Sequence, residues 1–367
     1  MRTKIAINAR FLTQRVTGVQ RYARELTAEM IFAMGQDRVV LFSPQGAPPE
    51  FAGVPVKQTK LPIRGHAWEQ LLLPFMVKGA GADILLSPGN IGPLLVGRQV
   101  LTIHDAAVFA HPEGFNPLFR RWYSIILPLL AKRVRKIITV SEFSRQELVL
   151  YLNINDLKIS VIPNGISPMF KELALNIVLN FKRSNDLPQR FILALGSKGH
   201  NKNHQRLLEA WETIAQKRDY KDLWLITVGG RVGTLAGDEA SASSQYPRVK
   251  DLGYVEGQQL PLLYNAAEAF IFPSLYEGFG LPPLEAMACG CPVLVSNISS
   301  LPEVCADVAL YCDPYSPQDI ARRIDELLSN EELKKKLSYR GIRHSSNFTW
   351  SRCARETLLL IEKVLEK

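Results

Sequence analysis

Two glutamates separated by seven residues, Glu277 and Glu285, enclose Gly278-Phe279-Gly280-Leu281-Pro282-Pro283-Leu284 within the run from Phe272 to Gly290. A strand is predicted to end near Pro273. A glycine-punctuated loop follows, and then a helix with proline in its first turn that stops at Gly290. In an open parallel sheet, ligands bind beyond the carboxyl ends of the strands. A helix amino terminus placed there offers free N–H groups and a dipole that favours phosphate. Gly278 and Gly280 let backbone approach such a ligand closely. Glu277 then faces the ligand from the loop. Glu285 is expected in the helix's first turn, where it either serves the ligand or complements the helix dipole. His104 ends another predicted strand beside Asp105, and Lys198 and Lys202 follow a third. His66, His111, His200, His204 and His344 form no HExxH spacing or other metal-ligand set, and no DxD motif occurs in the chain.

Positioning these groups requires sheets. Short β-branched runs alternate with longer amphipathic segments, which predicts parallel βαβ units. The first series of strands is read at 4–8, 39–43, 83–87, 100–104, 136–140 and 159–162. The second is read at 191–195, 223–228, 249–253, 269–272 and 292–295. Their near-continuous apolar character suits strands covered on both faces. A chain of 367 residues accommodates two such domains. Pro163-Asn164-Gly165 and Leu187-Pro188 put the join near 163–190, giving an amino-terminal domain over 1–170 and a carboxyl-terminal one over 171–367. Residues 234–246 read as a polar loop. The segment after Trp350 reads as a terminal helix that crosses back to the first domain.

Composition excludes several classes. Five cysteines without a CxxC pair predict neither a disulfide framework nor a zinc site; Cys289 and Cys291 read as packed thiols. No apolar run reaches membrane-span length, and the amino terminus lacks a secretory core, so a soluble cytoplasmic protein is expected. Residues 1–170 hold 20 Lys and Arg against 11 Asp and Glu, whereas 171–367 hold 24 against 24, so the whole +9 lies in the first half. A one-sided basic surface suits either nucleic acid or an anionic membrane leaflet, or is simply solvated. No nucleic-acid recognition motif accompanies it. Arg120, Arg121 and the cations of 132–136 flank the apolar Trp122–Ala131 segment, which Pro128 interrupts. That segment either packs in the first domain's core or forms a peripheral membrane helix.

The glutamate pair in EGFGLPPLE resembles the E-x7-E signature of the family 4 retaining glycosyltransferases of the GT-B fold, in which two Rossmann-like domains face a cleft. The likeness runs along nearly the whole chain: TGVQRYARELTAEM from Thr17, His104-Asp105, VSEFSRQEL at 140–148, VIPNGI at 161–166, ALGSKGHNKN at 194–203, GYV at 253–255, SSLPEV at 299–304 and FTW at 348–350. The resemblance implies transfer of a hexose from a GDP- or UDP-sugar to a saccharide or lipid-linked acceptor, as in bacterial polysaccharide mannosyltransferases, without a metal cofactor. It implies that Glu277 contacts the donor sugar, Glu285 the ribose, and the backbone of Gly278, Phe279, Gly280 and Leu281 the sugar and diphosphate. It puts the Gly18 loop over the diphosphate, and His104 near the reacting sugar as a hydrogen-bonding group. Lys202 before Asn203 fits a family cation that neutralises the leaving diphosphate. Ser197 stands where an arginine is common, and Lys198 is its substitute. Nucleotide-sugar epimerases, phosphorylases and inactive sugar-nucleotide-binding proteins share the architecture. Ser141 and Ser144 read as helix caps, with a capping box over 144–147.

Overall fold

The computed structural model describes residues 3–48, 50–51, 53–195, 200–229 and 245–366. The chain divides into two compact units. Unit 1 comprises 1–110, 118–165 and 348–367, and unit 2 comprises 111–117 and 166–347. Each is built on one parallel sheet, as the alternating pattern predicts.

Unit 1 contains β1 (Ile5–Asn8), β2 (Val39–Ser43), β3 (Val56–Gln58), β4 (Ile84–Ser87), β5 (Gln99–Thr102), β6 (Lys136–Thr139) and β7 (Ile159–Val161), in the order β3-β2-β1-β4-β5-β6-β7. Alternate side chains fill different cores: Ile5, Ile7, Leu41 and Leu86 join one, and Ala6, Phe42 and Leu85 join the other. Covering both faces requires this unbroken apolar spelling. The terminal helix Trp350–Leu365 packs on the helix Gly18–Met34, adding Trp350, Cys353 and Ile361 to the core around Tyr22 and Leu26. Gly165 permits the return: a Cβ there would lie 2.2 Å from the Trp350 backbone nitrogen.

Unit 2 contains β8 (Arg190–Leu195), β9 (Leu223–Val228), β10 (Val249–Asp251), β11 (Ala269–Phe272), β12 (Val293–Ser296) and β13 (Leu310–Cys312), in the order β10-β9-β8-β11-β12-β13. Strand order reverses between β8 and β11 here, and between β1 and β4 in unit 1. Such reversals open a crevice at the carboxyl ends of the strands, where ligands bind.

Three local expectations are corrected. β3 and β13, the short edge strands, were not anticipated. Ser141, rather than Ser144, caps the helix Glu142–Leu152, its hydroxyl accepting the Ser144 N–H at 3.0 Å; Ser144 lies inside the helix. Helix Pro117–Arg133 runs through Pro128. It buries Tyr123, Ile126, Leu127, Leu130 and Ala131 while leaving Ile125 and Leu129 exposed, so the apolar segment is neither wholly core nor free of it. No helix among the described residues is long and apolar enough to cross a membrane.

Candidate active site

In unit 2 the chain leaves β8, forms a short 3-10 turn at His200–Lys202 and enters the helix His204–Ala215. Asn203 makes the corner in the left-handed region, and its amide donates to the carbonyls of Pro273 (3.0 Å) and Pro314 (2.6 Å). The turn is thereby pinned to the end of β11. Leu275 N–H donates to the Asn201 carbonyl at 2.7 Å, closing the same junction.

The switch point therefore brings Lys202 and Glu277 together. Lys202 Nζ donates to Glu277 Oε1 at 2.6 Å and stands 4.9 Å from the Phe272 ring centroid. Ser274 Oγ lies 2.6 Å from the same carboxylate oxygen. Glu277 Oε2 takes no hydrogen bond from the described residues. Among the described residues the carboxylate is thus held by one oxygen, and Lys202 makes no other hydrogen bond through its ammonium. Both side chains are mostly covered, at 18% and 13% exposure, which strengthens their interaction with any charge placed beside them.

The loop is braced from below. Ser299 Oγ accepts the Glu277 N–H at 3.2 Å, and Ser300 Oγ lies 2.8 Å from the Glu277 carbonyl and 2.9 Å from that of Phe279, sharing its one proton between them. Gly280 caps the helix Leu281–Ala288 with φ at +105°, and a Cβ there would approach Leu301 Cδ2 to 2.7 Å. Glycine is required by the turn itself. Gly278 and Phe279 are buried, and Leu281 opens the helix half-buried. Glu285 is the fifth residue of that helix, not a member of its first turn, and no acidic residue occupies that turn. Complementing the dipole, an effect confined to the terminal turn, does not account for it. It is 3% exposed, and its charge, after burial, helps push the neighbouring Cys289 thiol up to about 12. Lys198 lies outside the described residues.

Unit 1 carries the other two groups. His104 follows β5, is 7% exposed, and meets the Tyr22 ring edge to face at a centroid distance of 4.6 Å. Its Nε2 lies 3.2 Å from the Pro88 carbonyl, which can only accept, so Nε2 bears the proton and Nδ1 is an acceptor with no partner among the described residues. Burial lowers its pKa to about 4, against a smaller raising effect of the Pro88 carbonyl. Gly18 is the first residue of its helix, with Thr17 as N-cap and the Thr17 N–H donating to Gln20 Oε1 at 3.2 Å. Nothing stands within 4 Å of a Cβ built on Gly18, and its φ is not positive. The fold does not demand glycine there, and the helix start is open.

Two family models match the chain: Glycosyltransferase Family 4 over 16–170 and Glycosyl transferases group 1 over 178–344. The O-antigen chain mannosyltransferase B of Escherichia coli is 32% identical over 269 residues, covering 72% of this chain and 70% of that one. The O-antigen chain mannosyltransferase RfbU of Salmonella typhimurium is 29% identical over 70% of this chain and 69% of its own. The chain belongs to the family 4 glycosyltransferases. Its fold is GT-B, sharing a TM-score of 0.77 with sucrose-phosphate synthase from Thermosynechococcus elongatus, at 19% identity and full coverage of both chains.

In this glycosyltransferase the geometry joins Glu277 and Lys202 directly, sets Gly278, Phe279 and Gly280 on the turn after Glu277, and makes Leu281 the first residue of the helix that follows. Sequence reasoning missed Ser274, Asn203, Ser299 and Ser300. The signals were present: a serine directly after a strand-ending proline, an asparagine before a helix, and the SSLPEV motif, which had no assigned role.

His104 yields a pH prediction. The folded protein holds it neutral down to about pH 4, whereas the unfolded chain protonates it near pH 6.5. The unfolded state binds more protons inside that window, so stability falls as pH drops from 6.5 to 4, by up to ~1.4 kcal/mol per unit. Urea unfolding across this range should show a shallower decline in His104→Gln than in the native enzyme. Equal slopes would mean that the imidazole is not held neutral.

Proposed function

We propose that this enzyme transfers a hexose, mannose foremost, from a GDP- or UDP-sugar to a saccharide or lipid-linked acceptor in cell-surface polysaccharide synthesis, with retention of anomeric configuration and without a metal. The observation that carries this reading is the Lys202–Glu277 pair at the switch point beside a helix amino terminus. The names of the O-antigen mannosyltransferases to which the chain is similar support the sugar and the product class.

In this reading Glu277 Oε2 accepts from donor-sugar hydroxyls, and Lys202 with the N–H groups after Gly280 receives the diphosphate. Positive potential preorganised for the leaving group is the electrostatic contribution such a transfer needs. Glu277 holds the sugar instead of attacking it. The acceptor oxygen bonds to the anomeric carbon as the carbon–phosphate oxygen bond breaks, and the acceptor proton passes to the departing diphosphate on the same face. Glu285 serves the ribose, Lys198 supplements Lys202, His104 Nδ1 accepts from a sugar hydroxyl, and the open helix start at Gly18 admits an anion. The basic excess of the first half of the chain suits a peripheral position on an anionic membrane surface that carries a lipid-linked acceptor.

Metal independence is tested by following nucleoside diphosphate release with a chelator in excess. Initial rates should be unchanged, and manganese should add nothing. Activity lost in chelator and restored by manganese would contradict the assignment. A thermal-shift panel of GDP- and UDP-sugars selects the donor, since a ligand at ~100 times its Kd stabilises by ~2.7 kcal/mol.

A further inference from the structure

The helix Leu281–Ala288 starts with few donors. A helix leaves four N–H groups unpaired at its start, and here two of them are missing, because Pro282 and Pro283 carry none. Gly280, the N-cap, and Leu281 supply the other two. A diphosphate received there depends on where those donors point. The Gly280 N–H shares its peptide with the Phe279 carbonyl.

Ser300 holds that peptide. Its hydroxyl lies 2.9 Å from the Phe279 carbonyl and 2.8 Å from that of Glu277. In a trans peptide the N–H points opposite to the C=O, and no cis bond occurs among the described residues. The Gly280 and Gly278 N–H groups are therefore both turned away from Ser300, toward the other face of the loop. Local structure does not explain this use of the serine. Ser300 is fully buried and occupies the N-cap position of the helix Leu301–Cys305, where a serine side chain ordinarily binds its own helix, yet it makes no capping bond. Ser299 before it has a φ of +57°, a left-handed backbone uncommon outside glycine. Strain of this kind persists where the surroundings hold it, and it collects at functional sites. Here the surroundings include the Glu277 N–H, which donates to Ser299 Oγ at 3.2 Å.

We propose that Ser300 is a positioning residue for the donor diphosphate: by keeping the Phe279 and Glu277 carbonyls beneath the loop, it aims the Gly280 N–H, with that of Gly278 beside it, at phosphate oxygens. The proposal rests on the reading that the diphosphate binds beside Lys202, and it names the side chain that fixes the backbone there. Ser300 touches no substrate and acts through the peptide alone.

The test exploits the sequence. Phe279-Gly280 is the only Phe-Gly step in the chain, so carbon-13 at the phenylalanine carbonyl combined with nitrogen-15 in glycine isolates the Gly280 amide in a carbonyl-filtered NMR spectrum. In the native protein GDP or UDP, whichever calorimetry shows to bind, should shift that resonance, and guanosine or uridine should not. Ser300→Ala should bind the same nucleoside diphosphate about tenfold more weakly, as expected when one hydrogen bond to a charged group is misdirected. Its Gly280 shift should shrink, turnover should fall by a similar factor, and the melting temperature should stay within a few degrees of the native value. A native protein that binds nucleoside diphosphate without moving the Gly280 amide would overturn the proposal and leave the donor reading intact. A folded Ser300→Ala with native affinity and an unchanged shift would do the same. A variant that melts far below the native protein would show that the hydroxyl is needed only for folding, which also overturns the assignment. Failure of the native protein to bind either GDP or UDP would instead overturn the donor reading itself.

Discussion

Lys202→Ala should lower kcat about 100- to 1000-fold, the effect of deleting one preorganised group that stabilises developing negative charge. The side chain lies on a short 3-10 turn that Asn203 anchors independently through Pro273 and Pro314. The fold should therefore persist, with a melting temperature within a few degrees of the native value. Removing the ammonium also leaves Glu277 facing the site without its charge partner, so that the carboxylate repels an incoming diphosphate. Nucleoside diphosphate binding should weaken along with turnover. Steady-state kinetics and calorimetric titration of GDP and UDP read both effects. Normal turnover in a folded Lys202→Ala protein would remove the lysine from the site.

Glu277→Ala should cost about 10- to 100-fold in kcat/KM, equivalent to ~1.5–3 kcal/mol of charge-assisted hydrogen bonding to the donor sugar. Its signature differs from that of the lysine. Affinity for the sugar nucleotide should fall, whereas affinity for the bare nucleoside diphosphate should hold. The 2.6 Å contact also predicts coupling: the double variant should lose less than the two single variants combined, because each loss already disables its partner. Strictly additive losses would mean that the two side chains act in separate places.

Most of this site is legible in the sequence because it follows from strand ends and glycines. β8 and β11 are continuous apolar runs of central strands, so the residue pattern alone locates their carboxyl ends, and with them Lys202 and Glu277. β3 and β13 were missed although β7 and β10, just as short and also at sheet edges, were found; in β3, Lys57 and Gln58 face solvent, which breaks the apolar run. Glu285 was misplaced by one turn because Gly280, at φ +105°, holds the helix start back to Leu281, ahead of the two prolines. The serines bracing the Glu277 loop were hidden for a different reason. Ser299 and Ser300 reach that loop from another one, and their roles exist only after β11 and β12 pair, whereas Ser274 acts within the loop itself, three residues before Glu277. His104 was placed correctly at a strand end, but its neutral state and acceptor Nδ1 depend on the Pro88 carbonyl, 16 residues away in sequence.

The most direct measurement is proton NMR of the anomeric region during reaction of the native enzyme with GDP-mannose or a UDP-hexose and a saccharide acceptor. For an α-linked donor, the anomeric signal should be replaced by that of an α-glycoside as nucleoside diphosphate accumulates, with the same rate and product in excess chelator. A β-glycoside as the first product, or failure to consume any sugar nucleotide in the presence of acceptor, would contradict the account.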